Sequence, residues 1–394
     1  MLRVGICGPA NPYEFKTYLN NQYEIPNINN QAASVNAHIQ SLLDEGCEVI
    51  VFTKQKTDNK DIIHLCGNKI QFFIVPEKDN RQANIFRFHT INTLKKLIRN
   101  SIPNIDILHA QWTYEYAYAC IPYSDKIPTF CTVRDWCPYQ RHIARRPMEI
   151  LVWTVNSFLF HQVLSCKKIH FIANSEYTLK CLEKYGIRND ITKINNGIKS
   201  QFILDNRAHY PTTPTFVSIA QDLSEKRKNI ITLLKAFQQL CQKTTAKLIL
   251  VGKISKSDFQ AWEEAGLLRH VIFTGAINHN QVIDLLDECS TLVHPSIEET
   301  FGNILLEGMA RRIPVIGGSH SGAVPNVLGN GNFGVLCDIL DTQSLRRAMQ
   351  KTIQFENVSK MIDDATLYLR QNFSSDVIGK KHLELYKKAI CHEL

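Results

Sequence analysis

Short apolar runs rich in β-branched residues alternate, along nearly the whole chain, with longer stretches of helical periodicity. That alternation is the pattern of βαβ units and restricts the chain to sheets that are mostly parallel and covered by helices. In the first half the strand candidates are Leu2–Cys7, Cys47–Thr53, Lys69–Val75, Ile105–His109, Ile127–Val133 and Ile169–Ala173. Helices fit between them, notably Ala32–Glu45, with Gly46 as a C-terminal stop. Asn196-Gly197 turns the chain, and Asp205–Pro214, with Pro211 and Pro214, reads as a linker. A second series follows: strands Thr215–Ala220, Lys247–Val251, Val271–Thr274, Thr291–Val293 and Pro314–Ile316, with helices Ile230–Cys241, Gln281–Glu288 and Asn303–Ala310. The fold class is α/β, with two Rossmann-like doubly wound domains facing across a cleft. Their expected extents are residues 1–205 and 215–372, joined by 206–214, with a C-terminal segment 373–394 packing back on the first domain. A length of 394 residues suits two such domains. Ligand is expected at the carboxyl ends of the strands, an inference about place and not chemistry.

Apolar residues make up 44% of the chain and charged residues 21%, as in a globular protein. Met1 leads directly into the apolar run Leu2–Cys7, which argues against a secretory signal. The longest apolar stretch, Ile150–Leu164, is interrupted by Asn156, Ser157, His161 and Gln162, and falls short of a membrane span. The twelve cysteines show no paired C-x-x-C spacing, so reduced thiols in a cytoplasmic protein are expected, with no zinc or redox centre. Residues 1–210 hold 25 Lys and Arg against 18 Asp and Glu, so +7 of the net +8 lies in the first half. Such an excess suits an anionic membrane face or a phosphorylated acceptor, or is simply a solvated surface. The chain has no recognisable nucleic-acid module.

The richest window runs from His294 to Ala310. A strand ends near Val293, a polar loop follows, and a helix opens around Gly302-Asn303. Backbone N–H groups at such a helix start suit an anion or hydroxyl. Glu299 precedes the helix and Glu307 lies on it, spaced for two parts of one extended ligand. Two glutamates eight apart recur by chance, and without further context a capping residue plus a solvated one is the better explanation.

The context of that pair resembles glycosyltransferase family 4, retaining enzymes of the GT-B fold that include bacterial cell-surface polysaccharide transferases. Pro295-Ser296, Glu299, Phe301-Gly302, Glu307, Met309-Ala310 and Pro314-Val315 all match the family's signature. Ser321–Pro325 resembles its Gly-rich turn, Leu223–Ile230 its donor-phosphate loop, and Phe373-Ser374 with helix Val377–Ala389 its closing segment. The resemblance is strong from about residue 165 onward and loose before. It implies a hexosyltransferase-type enzyme in polysaccharide or glycolipid synthesis, with a UDP- or GDP-sugar as donor and a saccharide or lipid-linked acceptor. Glu307 would bind the nucleotide ribose, and Glu299 the donor sugar with the amides of Phe301, Gly302 and Asn303 beside it. Lys228 would face the diphosphate, favoured over Lys226 and Arg227 because it immediately precedes a helix. A front-face route needs no protein base, and no metal or other cofactor is expected, in keeping with the lack of an Asp-x-Asp motif.

The chain departs from the family at several points. Asn29-Asn30 stands where paired glycines usually precede the first long helix; Asn tolerates positive φ, so Asn30 remains a donor-side candidate. Thr132-Val133-Arg134-Asp135 replaces a run that often carries a histidine. Arg134 cannot be a general base. It either clamps a sugar hydroxyl or phosphate as a catalytic-site residue, or forms a rim ion pair with Asp135. His109 is either an acceptor-side contact, with Asp135, or a satisfied core histidine. Gln221 lies where an arginine is expected and Asn326 where a glutamate is. These changes leave open a sugar-nucleotide-binding protein without activity, and a sugar-nucleotide epimerase would share the fold. Arg141, Arg145 and Arg146 precede the helix from Ile150 and Lys167-Lys168 follow it. That helix is either internal with solvated ends or a peripheral contact with the inner face of a membrane.

Overall fold

A computed structural model describes residues 1–20, 24–26, 33–56, 61–77, 85–187, 190–354, 356 and 358–391. The chain divides into two compact units, Met1–Gly197 with Ser375–Leu394, and Ile198–Ser374.

Among the described residues the first unit's sheet runs β3-β4-β2-β1-β5-β6-β7-β8. The strands are β1 (Arg3–Cys7), β2 (Glu48–Lys56), β3 (Ile63–Cys66), β4 (Ile70–Glu77), β5 (Ile107–Ala110), β6 (Thr129–Val133), β7 (Ile169–Ala173) and β8 (Ile191–Lys193). All pairings are parallel except that of β3 with β4. Central strands are apolar on both faces because helices cover both sides. Along β1 and β2 the side chains alternate accordingly: Cys7, Ile50 and Phe52 join one core, and Val4, Ile6, Val49 and Val51 the other. The α-helices named among the described residues are α1 (Ala33–Asp44), α2 (Phe88–Ser101), α3 (Glu115–Cys120), α4 (Cys137–Ile143), α5 (Pro147–Leu164) and α6 (Glu176–Lys184).

The second unit's sheet is parallel throughout, in the order β11-β10-β9-β12-β13-β14. Its strands are β9 (Thr215–Asp222), β10 (Lys247–Lys253), β11 (Val271–Gly275), β12 (Thr291–His294), β13 (Val315–Gly318) and β14 (Val335–Cys337). Its helices are α7 (Ile230–Cys241), α8 (Lys256–Glu264), α9 (His279–Asp287), α10 (Asn303–Ala310), α11 (Val324–Val327), α12 (Thr342–Lys351) and α13 (Ser359–Phe373). The strand order reverses between β9 and β12. At such a switch point the two following loops leave in opposite directions and open a crevice.

The last helix, α14 (Ser375–Ile390), belongs to the first unit and lies against α1. Gly379 allows that approach: a Cβ there would stand 2.7 Å from the Ser41 Cβ. Tyr386 fills the centre of the contact, fully buried.

The boundary after the first unit falls at Gly197, earlier than the expected 205. Residues 206–214 are part of the second unit, where Arg207 donates to the carbonyls of Asp287 (2.5 Å) and Cys289 (2.7 Å) and the Tyr210 hydroxyl donates to that of Arg312 (2.5 Å). The side chains ahead of Pro211 and Pro214 pin this stretch to the unit.

Candidate active site

The loops after β9 and β12 meet at the second unit's switch point. After β9 a 3-10 turn, Lys226–Lys228, ends at Asn229 in the left-handed region (φ 53°). Buried Asn229 donates its amide to the Ile339 carbonyl at 2.8 Å, fixing the turn. Lys226 points to solvent, while Arg227 and Lys228 turn inwards. The loop after β12 is tied to this turn by the Ile297 amide, which donates to the Arg227 carbonyl at 2.8 Å.

Glu299 is the centre of the arrangement. Its Oε1 accepts from Lys228 Nζ at 2.7 Å and from Arg227 Nη1 at 3.2 Å, and His294 Nε2 lies 3.2 Å from the same oxygen. Burial pushes the Glu299 carboxyl up, but Lys228, His294 and Arg227 outweigh it and hold it well below the usual carboxylate range. Burial holds the His294 imidazole below its ordinary value, against the pull of Glu299. Burial opposes the charge on Arg227, yet Glu299, Glu225 and Glu298 raise its pKa. The ammonium of Lys228 carries three N–H donors, of which one goes to Glu299. The site therefore offers an ionised carboxylate beside two cations, suited to sugar hydroxyls adjoining an anionic leaving group.

Gly302 has φ 85° and caps α10. Phe301 is buried and packs edge-on against Phe373 at 5.9 Å, so its side chain serves the core and only its backbone is available to a ligand. Asn303 is the first residue of α10. Glu307, one turn on, is largely buried, and its Oε1 lies 3.0 Å from His279 Nε2 at the start of α9. The His279 ring meets Phe202 edge-on at 5.3 Å. Gly322, φ 61°, lets the turn after β13 close over Glu299: a Cβ there would stand 2.3 Å from the Glu299 carbonyl oxygen. The Ala323 amide donates to that carbonyl at 2.9 Å. Gln221 and Asn326 are exposed.

In the first unit, Arg134 follows the end of β6. Its guanidinium donates to Gln111 Oε1, to Ser34 Oγ at 2.9 Å and to Asn196 Oδ1 at 2.7 Å. Burial lowers its pKa to about 10, which keeps it charged at neutral pH. With Ser34, His38, Thr132, Asn195 and His382 it lines a small polar cavity. Asp135 lies beside the Tyr114 hydroxyl.

His109 is a core residue rather than an acceptor contact. It is fully buried, with Nδ1 2.5 Å from the Tyr386 hydroxyl and Nε2 2.7 Å from Thr132 Oγ1. His38 Nε2 lies 3.1 Å from the same tyrosine hydroxyl. The ring nitrogens of His38, His109 and His382 come within 4.8 Å of one another, close enough to consider a metal. Burial lowers all three pKa values, His382 to about 4, with the Arg134 charge adding to the effect. That same charge opposes a cation there, and the rings fit a neutral hydrogen-bonded cluster. Asn29 and Asn30 lie outside the described residues.

Of the expected donor-side residues, the fold brings Lys228 onto Glu299 and sets Gly302 and Asn303 at the start of the helix that carries Glu307. Arg227, His294 and His279 join them. His294 stood inside the recognised window but carried no mark of its role, and nothing local in the sequence pointed to His279.

The description "Glycosyltransferase Family 4" matches residues 31–202 and "Glycosyl transferases group 1" matches residues 200–366. The chain is 25% identical, over 214 residues, to N-acetyl-alpha-D-glucosaminyl L-malate synthase of Bacillus anthracis; the match takes in 50% of this chain and 55% of that protein. The chain thus spans about half the length of that curated relative. Sucrose-phosphate synthase from Thermosynechococcus elongatus has a similar structure, with a TM-score of 0.76, 16% identity and 100% of both chains covered. Anabaena HepE, in complex with UDP and glucose, gives a TM-score of 0.69 at 14% identity, covering 98% of this chain and 100% of that one. At such identities the structural likeness shows the fold.

Proposed function

We propose that this chain, which belongs to glycosyltransferase family 4, moves a sugar from a nucleotide diphosphate donor to a saccharide or lipid-linked acceptor with retention of configuration. The observation that carries the reading is the convergence of Lys228 and Arg227 on Glu299 at the switch point of the second sheet. Glu299 takes hydroxyls of the donor sugar, while Lys228 and Arg227 turn to the diphosphate. As the bond between sugar and phosphate breaks, negative charge grows on the leaving oxygen. A positioned cation stabilises that charge more in the transition state than in the ground state. Two fixed cations can meet this need with side chains alone, so the reading assigns no metal. Glu307 accepts from the ribose hydroxyls in exchange for His279. HepE, described with UDP and glucose, supports a nucleotide-diphosphate donor.

The leaving phosphate itself takes the acceptor proton on the front face, which dispenses with a protein base and suits Arg134, a group that stays protonated. Arg134 then orients a hydroxyl or phosphate of the acceptor or donor. The acceptor belongs to surface polysaccharide or glycolipid assembly. A thermal-shift screen of nucleotide sugars followed by product analysis tests the whole. A cognate donor should raise the melting temperature, and the product should keep the donor's anomeric configuration. Inversion, or conversion of the donor without acceptor, would overturn the proposal.

A further inference from the structure

Helix α5 has an outer face that the rest of its unit leaves without explanation. Leu159, Phe160, Val163 and Leu164 are buried against the core, as an amphipathic helix requires. Yet from Ile150 to Phe160 there is no charged residue, and the solvent side carries Leu151 at 40% and Phe158 at 58% exposure. Thr154, His161 and Gln162 are the polar residues exposed on that side, where surface helices ordinarily place charged residues as well.

A second exposed apolar feature is tied to this helix. Phe86 and Phe88 stack with centroids 6.0 Å apart, and Phe88 is 69% exposed. Arg87 between them has φ 55° and sends its guanidinium inwards, to Glu115 at 2.7 Å and to Asn156 of α5 at 2.9 Å. The same bonds that fix the turn leave its two rings outside.

The charge at the two ends of this helix is mostly basic, with Asp125 3.9 Å from Lys168 and Glu149 3.8 Å from Arg146 as the acidic partners. From Arg141 to Lys168 the chain carries five Lys and Arg and one acidic residue, Glu149. Glu149 is engaged with the backbone amides of Arg145 (3.3 Å) and Arg146 (3.2 Å), where it caps the helix. The arginine side chains and Lys167-Lys168 remain exposed at the two ends. An apolar helix face bounded by cations matches an anionic bilayer surface, whose acyl region takes the apolar groups and whose headgroups take the charges. No helix among the described residues is long and apolar enough to cross a membrane. With its inner face fixed to the core, α5 is placed to lie along a surface.

We infer that α4, α5 and the Phe86–Phe88 turn form a docking surface for an anionic lipid bilayer. The surface adjoins the Arg134 loop. Trp136, two residues after Arg134, packs edge-on against Phe160 of α5 at 5.4 Å. A bilayer docked there would present a lipid-linked acceptor near Arg134, a consequence that rests on the transferase reading; the docking itself does not.

The test is sedimentation of the full chain with phosphatidylcholine vesicles, with and without phosphatidylglycerol. Binding should require the anionic lipid and be reversed at about 1 M salt, where screening extends only about 3 Å. Arg145→Glu with Arg146→Glu should weaken binding about tenfold or more. Leu151→Asp with Phe158→Asp should abolish it, with melting temperatures at the wild-type value. As a check that does not remove the apolar face, the indole introduced by Phe158→Trp should shift its emission to the blue on binding and be quenched by brominated lipid. Equal binding to neutral vesicles, fluorescence of the bound Phe158→Trp variant that brominated lipid leaves unquenched, or wild-type binding by both double variants would overturn the inference. So would a dimer in light scattering that Phe158→Asp dissociates while vesicles capture nothing, since a second copy would then cover the face. Vesicle binding with no sugar transfer would count against the transferase reading and leave the docking surface standing.

Discussion

Lys228 Nζ stands 2.7 Å from Glu299 Oε1, and the two come from loops on neighbouring strands, 71 residues apart in sequence. Neither loop alone makes a site. The reversal of strand order between β9 and β12 puts them at one crevice, and the left-handed Asn229 aims the lysine into it.

Lys228→Met should lower kcat on the order of a hundredfold or more, because in the proposed mechanism the lost cation acts most strongly on the departing phosphate. Donor affinity should fall far less. Steady-state kinetics with a cognate donor would check this, and a change confined to KM would remove Lys228 from the chemical step.

Glu307→Gln should weaken nucleotide binding by about tenfold to a hundredfold, the range expected on losing charge-assisted hydrogen bonds. Turnover at saturating donor should change little. Calorimetric titration with the cognate nucleoside diphosphate gives the affinity directly, and an unchanged Kd would contradict the assignment.

Gly322→Ala should destabilise the second unit by about 1–3 kcal/mol, since the residue has φ 61° and its Cβ would meet the Glu299 carbonyl oxygen at 2.3 Å. Activity should fall with stability, because the displaced backbone is that of Glu299. Chemical denaturation and turnover measured together would show whether the two effects coincide.

Stability should fall as pH drops from about 6.5 towards 4, the range set by an unperturbed histidine and by His382. Burial holds the His382 pKa below its unfolded value, so the unfolded chain binds the proton first and folding is penalised as pH falls through that window. Its share is about 3 kcal/mol. Urea denaturation at pH 7 and pH 4.5 should show the loss, and His382→Gln should flatten the dependence.

The architecture is readable because short, β-branched apolar runs and helical stretches alternate so regularly that strands such as Thr215–Ala220 and helices such as Ile230–Cys241 stand out. The strands that were not readable, β3, β8 and β14, have three or four residues each and too little pattern to separate from loop. Within the site, Glu299 and Glu307 were legible through their spacing and neighbours. Lys228 could be chosen from a basic run by its place before a helix, but the same geometry puts Arg227 on Glu299 as well. His109 illustrates the limit. Its place at the end of a strand fits a ligand contact, and what makes it a core residue is a tyrosine hydroxyl 277 residues away. The linker failed for a related reason: prolines mark extended backbone, whereas Arg207 and Tyr210 decide what that backbone is attached to.

The return of α14 to the first unit sets an order of events during translation. The second unit is a continuous stretch, Ile198–Ser374, and can fold as it leaves the ribosome. The first unit is made earlier yet must wait, its slot between His38 and His109 unfilled, until Tyr386 has been synthesised. At typical elongation rates of about 5–20 residues per second, the intervening stretch holds the earlier half open for roughly 9–35 s. During that interval the place beside His38 and His109 stands open to other occupants.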